Sequence, residues 1–101
     1  MKKIIDGKMY DTETAELLGA FTKNVGTFNY VHEELYRTKN GRFFVFGSGG
    51  PLSRWAQADG SNSWSGGSGL QALSVDYAKQ WAGRHMDPDE YELLFGKVEE
   101  A

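Results

Sequence analysis

Three features of this chain of 101 residues predict an α+β fold. The run Leu35-Tyr36-Arg37-Thr38-Lys39-Asn40-Gly41-Arg42-Phe43-Phe44-Val45-Phe46 sets two apolar, strand-favouring segments either side of Asn-Gly, the strongest short hairpin signal. Further on, Ser74 and then Asp87-Pro88 stand directly before helical apolar periodicities, where capping residues belong. Between these regions, Gly47 to Gly69 holds seven of the 13 glycines and six serines, yet also Trp55 and Trp64. Flexible linkers rarely carry tryptophan, so this segment is expected to be an ordered loop system pinned by indole anchors. The predicted architecture is a small, mainly antiparallel sheet centred on a 35–46 hairpin, packed with three or four short helices, in a single domain over 1–101.

Taken in order, Lys2 to Met9 reads as a short strand pair around Asp6-Gly7, a dipeptide suited to a tight turn. Asp11 or Thr12 then caps a helix predicted through Leu18, with Glu13 and Glu16 near its positive end, Ala15, Leu17 and Leu18 on its apolar side, and Gly19 as its stop. Phe21 to Thr27 reads as a loop, and the first central strand begins near Phe28. A two-residue type I′ turn at Asn40-Gly41 would pair Thr38 with Phe43, Arg37 with Phe44, Tyr36 with Val45 and Leu35 with Phe46. Pro51 suits the first turn of a helix from Leu52 to Ala58, placing Leu52, Trp55 and Ala56 on one face as core. Leu70 to Leu73 alternates as a short strand does. Ser74 caps a helix from Val75 to about His85, with Val75, Ala78, Trp81, Ala82 and His85 on its buried stripe. Asp87 at N-cap, Pro88 at N1 and Glu90 at N3 begin a last helix, with Tyr91, Leu94 and Phe95 apolar and Gly96 closing it.

Composition narrows the function classes. There is no cysteine, so neither a disulfide framework nor a thiolate metal site is available. No apolar run approaches the roughly 18 residues of a membrane span, and the N-terminal segment reaches Asp6 too soon for a secretory leader, so a cytoplasmic protein is expected. Net charge is −3, unevenly spread. Met1 to Met86 balances at +2, from ten basic against eight acidic residues, whereas Asp87 to Ala101 balances at −5, from six acidic residues against Lys97. The acidic end reads as the solvated face of a terminal helix and argues against a nucleic-acid-binding tail.

Several motifs carry no chemistry on inspection. Gly47-Ser48-Gly49-Gly50-Pro51-Leu52-Ser53-Arg54 lies where backbone amides can cradle a phosphate, but it lacks the P-loop lysine and completes no G-x-G-x-x-G. A tight glycine corner is the expected role. His32 and His85 are the only histidines; His32, Glu33 and Glu34 alternate across a strand and do not converge on a metal. His85 falls at a helix C-terminus, where a cation is favoured. No nucleophile, base and acid stand in an interpretable pattern. The expectation is a protein that is not an enzyme, with no catalytic residue, no metal and no cofactor.

Three segments together resemble a known group: Ile5-Asp6-Gly7-Lys8-Met9-Tyr10-Asp11-Thr12-Glu13-Thr14-Ala15, then Glu34 to Phe44, then Ala78-Lys79-Gln80-Trp81-Ala82 with Asp89-Glu90-Tyr91-Glu92. They are similar to a family of small proteins from bacterial mobile elements and phages, mostly of Gram-positive anaerobes. The resemblance implies a context of phage and plasmid accessory proteins, among which inhibitors of host defence such as anti-CRISPR proteins are common.

The expected function is therefore a non-catalytic protein-interaction module. Its partner-binding residues are expected at Trp64, Asn62, Ser63 and Arg54, with Trp64 either an anchor in an adaptable Ser/Gly/Asn surround or an indole folded back to plug the sheet. The alternative is a nucleic-acid-associated accessory protein using Arg37, Lys39 and Arg42 at the hairpin tip.

Overall fold

The computed structural model describes residues 1–101. Strands β1 (Lys2–Ile5) and β2 (Lys8–Asp11) form the predicted N-terminal hairpin. Asp6 and Gly7 at its turn both have positive φ, 51° and 75°, as a type I′ turn requires. Then come β3 (Glu16–Lys23), β4 (Val31–Arg37), β5 (Phe43–Gly49), β6 (Gln57–Ala58), β7 (Trp64–Ser65) and β8 (Gly67–Leu73). The central sheet has the order β3-β4-β5-β8, antiparallel throughout, and β6 pairs with β7 as a separate two-residue ladder.

Two helices follow, α1 (Val75–His85) and α2 (Pro88–Phe95), so the expected three or four reduce to two. Their caps form as predicted: the Ser74 side chain accepts from the Tyr77 amide at 3.2 Å and the Asp87 carboxylate from the Asp89 amide at 2.8 Å. Ala78, Trp81 and Ala82 are buried on α1, whereas Val75, expected on that stripe, is exposed. No helix is long and apolar enough to cross a membrane.

The helix expected to run through Leu18 is instead a single turn followed by strand β3. The Asp11 side chain accepts from the Glu13 amide at 2.9 Å, the Asp11 carbonyl takes the Ala15 amide at 3.0 Å, and the chain then extends. Phe21, expected in a loop, lies inside this strand, and the first central strand begins at Val31 rather than near Phe28. A bulge between Leu17 and Gly19 turns Leu18 onto the same face as Phe21. The helix expected over Leu52 to Ala58 is also absent: Ser53 N–H bonds the Gly50 carbonyl, Ala56 N–H the Ser53 carbonyl, and β6 begins at Gln57. Leu52, expected in the core, is 72% exposed.

The central hairpin forms one register away from expectation. Arg37 pairs with Phe43, Tyr36 with Phe44 and Leu35 with Val45. Its loop is a β-turn closed by Gly41 N–H to the Thr38 carbonyl (2.9 Å), followed by Gly41 at φ 85° and a Thr38 N–H bond to the Arg42 carbonyl (2.7 Å). This is the three-residue hairpin with a glycine bulge, and Asn40 does not take positive φ. The one-residue shift moves every partner to a different face pairing.

That register sorts the core into two layers. On one face Leu35, Phe43 and Val45 meet Ala78, Trp81 and Ala82 of α1, with Leu18, Phe21, Trp55, Met86 and Phe95 around them. On the other, Tyr36 and Phe44 stack at 5.1 Å and Tyr10 meets Phe44 edge-on, so the β1–β2 hairpin covers the half of the sheet nearest the 38–42 loop.

Candidate functional site

The sheet end opposite the 38–42 loop gathers the chain's unusual side chains. Here β4 begins at Val31, β5 ends at Gly49, and β8 begins at Gly67. Glu33 points to the helix face and is 4% exposed. Its Oε1 accepts from Trp81 Nε1 and its Oε2 from Trp55 Nε1, both at 2.9 Å, and Arg54 Nε lies 2.8 Å from Oε2. A buried carboxylate is tolerable only when it is charge-paired and hydrogen-bonded, and these three donors meet both conditions.

The glycines explain how Trp55 reaches it. Gly47 stands opposite Glu33 in the β4–β5 ladder, and Gly69 opposite Gly47 in the β5–β8 ladder. A Cβ on Gly47 would occupy the space of the Trp55 ring, and one on Gly69 would come within 3.1 Å of it. The two glycines leave a bare shelf on which the indole lies. The glycine stretch is thus a seat for tryptophan, and its backbone amides are committed: Gly47 and Gly49 sit in the β5 ladders, Gly50 N–H bonds the Tyr30 carbonyl and Leu52 N–H the Phe28 carbonyl. The phosphate-cradle reading of this corner loses its donors.

Beside the clamp opens a cleft of about 860 Å³ whose lining includes the charged Glu33, Lys23, Arg54 and Arg84 together with His85. Arg54 also bonds Gln71 Oε1 at 3.0 Å and lies over the Trp55 ring at 4.6 Å. His85 stacks on Phe21 at 3.6 Å between centroids. Burial pushes its imidazole below the usual histidine range, and nearby Lys23, Arg84 and Arg54 push the same way against the opposing pull of Glu33. The expectation that a helix C-terminus favours a cation there is therefore corrected, because desolvation opposes the charged form.

On the opposite face His32 and Glu34, two apart on β4, do converge: His32 Nε2 lies 2.9 Å from Glu34 Oε2, and Tyr36 OH donates to Glu34 Oε1 at 2.7 Å. Burial raises the Glu34 pKa, but the bonds from His32 and Tyr36 outweigh it and hold the carboxyl below its ordinary value. Tyr36 is pushed up to about 12 by burial and by its bond to that carboxylate. Glu33 and Glu34 face apart, as strand alternation demands. No group of three or more His, Asp or Glu side chains converges as metal ligands.

The predicted partner-binding residues divide. Asn62, Ser63 and Trp64 lie together and exposed in the 57–65 hairpin, with Trp64 61% exposed opposite Ala58. Arg54 belongs instead to the Glu33 clamp. At the other end, Arg37 is tied to Glu16 at 2.8 Å, while Lys39 and Arg42 line a smaller pocket with Lys8 and Asp11. Four ladder positions separate Arg37 from Glu33, roughly 13 Å of strand, so the basic tip and Arg54 are distinct places. The clamp itself was not readable from sequence, since only the register brings Glu33 beneath two tryptophans 22 and 48 residues away.

The chain matches no protein-family model, no curated protein and no solved structure.

Proposed function

We propose that this chain is a non-catalytic protein-interaction module whose partner meets the loop end of the sheet. One observation carries the reading: Val25, Phe28, Leu52 and Trp64 are 73%, 72%, 72% and 61% exposed, the first three in loops at that end of the sheet and Trp64 in the short β6–β7 ladder that leads into β8 there. Single exposed apolar residues are ordinary, but several large ones gathered at one pole are the composition of an interface. Phe28 and Leu52 are joined by a backbone hydrogen bond of 2.8 Å, and the Trp64 strand leads within three residues into Gly67, the partner of Gly49. The resemblance to proteins of mobile elements supplies the context, an accessory protein of a phage or plasmid that engages a host complex, such as an inhibitor of a defence assembly. Affinity capture from a bacterial lysate, with and without nuclease, tests it: a protein partner retained by the native chain and lost by Trp64→Ala and Phe28→Ser supports the reading.

A second reading rests on a different observation. Lys8 from the first hairpin joins Lys39 and Arg42 around one pocket of about 440 Å³, a small basic site of the kind that meets a nucleic-acid backbone. Capture that disappears with nuclease favours this alternative.

A further inference from the structure

We infer that the cleft beside Glu33 receives the carboxylates of an acidic peptide segment of the partner, an inference that rests on the interaction reading above and names the partner's chemistry. On a chain of net charge −3, the cleft lining carries Lys23, Arg54 and Arg84 against a single carboxylate, Glu33. That carboxylate is spent: two indole N–H groups and the Arg54 guanidinium occupy it. Lys23 and Arg84 enter no ion pair, so two full positive charges face the cleft without counterpart. Convergent cations in a concave wall concentrate field and favour an anionic occupant.

The kind of anion follows from the walls. The backbone amides of the Gly47–Leu52 corner are consumed by the sheet and the turn, so side-chain cations alone meet the anion, and the apolar part of the wall favours a carboxylate carried on a peptide over a free phosphate. The cleft is walled partly by the Phe21–His85 stack, Val31 and Tyr77, surfaces that pack against side chains. Its lining also includes Asn29 and Ser53, the residues that follow Phe28 and Leu52 in the chain, so the apolar end lies next to it. An apolar residue flanked by glutamates or aspartates would fit both parts at once, its apolar side chain on Phe28 and Leu52 and its carboxylates against Lys23 and Arg84.

The test is an NMR titration of the full ¹⁵N-labelled chain with a capped peptide of alternating glutamate and leucine, the same peptide with lysine for glutamate, sodium phosphate and an oligothymidylate. The expected result is a saturable shift of the Trp55 and Trp81 indole N–H signals with the acidic peptide alone, weakened by added salt. Lys23→Gln and Arg84→Gln, at exposed and unpaired positions, should each lower affinity by up to about tenfold while leaving the amide spectrum dispersed. Unmoved Trp55 and Trp81 signals at millimolar acidic peptide overturn the inference, as does a response to phosphate or oligothymidylate at lower concentration than to the peptide. Shifts confined to Trp64 overturn the cleft assignment yet leave the interaction module standing, whereas undiminished partner capture by Trp64→Ala strikes that module directly.

Discussion

The Trp55 indole rests on Gly47, filling the space a Cβ there would need, and donates its N–H to the carboxylate of Glu33 across the strand pair. A glycine in the middle of a strand ordinarily weakens the sheet, so its presence opposite a buried glutamate marks a seat rather than a hinge.

Gly47→Ala should therefore destabilise the fold by about 1–3 kcal/mol, the usual cost of overpacking. Trp55→Ala alone should cost roughly 3 kcal/mol. In the Trp55→Ala background the cost of Gly47→Ala should largely vanish, a coupling of ~1–2 kcal/mol in a double-mutant cycle by urea denaturation. Additive effects would mean the two residues do not share the space.

Glu33→Gln keeps the shape of the side chain but turns one acceptor oxygen into a donor. One indole N–H, of Trp55 or Trp81, then faces another N–H with no acceptor. The expected loss is about 2–3 kcal/mol of stability, with one indole signal moving toward its free position in the NMR spectrum. An unchanged midpoint would show the clamp to be dispensable.

The hairpin loop gives a sharper contrast. Gly41 has φ 85°, so Gly41→Val should cost about 1–2 kcal/mol. Asn40 is not at positive φ, so Asn40→Ala should stay within about 0.5 kcal/mol. A large loss at Asn40 would point back to the two-residue type I′ turn.

These positions show how far the sequence could be read. Helices α1 and α2 were legible because Ser74, Asp87, Pro88 and Gly96 act within a single turn of chain. Strand β3 was not, for a definite reason: its bulge at Leu18 breaks the period-two alternation of a strand, while Ala15 and Leu18 stand three residues apart, the spacing of a helix. Asn40-Gly41 marked the hairpin but not its register, since the glycine serves a bulge as well as a type I′ turn. The sequence left Trp64 open between a surface anchor and a plug, and its 61% exposure rules out the plug, whereas the role of Glu33 depends on contacts between distant segments.

Stability should form a plateau bounded on both sides of neutrality. Glu34 and His85 both have lowered pKa values when folded. The stability each contributes is present above its unfolded pKa, about 4.3 for Glu and 6.5 for His, and is lost as pH falls through the folded value. Tyr36, raised from 10.0 to about 12, contributes stability that is present below pH 10 and lost as pH rises toward 12. Melting temperatures should fall below about pH 6.5 and above about pH 10. His85→Phe, which can keep the stack on Phe21, should flatten the upper part of the acid limb; a limb unchanged in that variant would contradict the assignment.

The exposed pole is tested by separating stability from recognition. Trp64→Ala and Phe28→Ser alter exposed side chains and should leave the urea midpoint within about 0.5 kcal/mol of the native chain. The decisive measurement is capture of the same lysate protein by native and variant chains in nuclease-treated extract, with folding checked on each. The predicted result is a partner held by the native chain and lost by both folded variants. Equal capture by all three, or loss of capture only where the variant has unfolded, would contradict a binding surface at the loop end of the sheet.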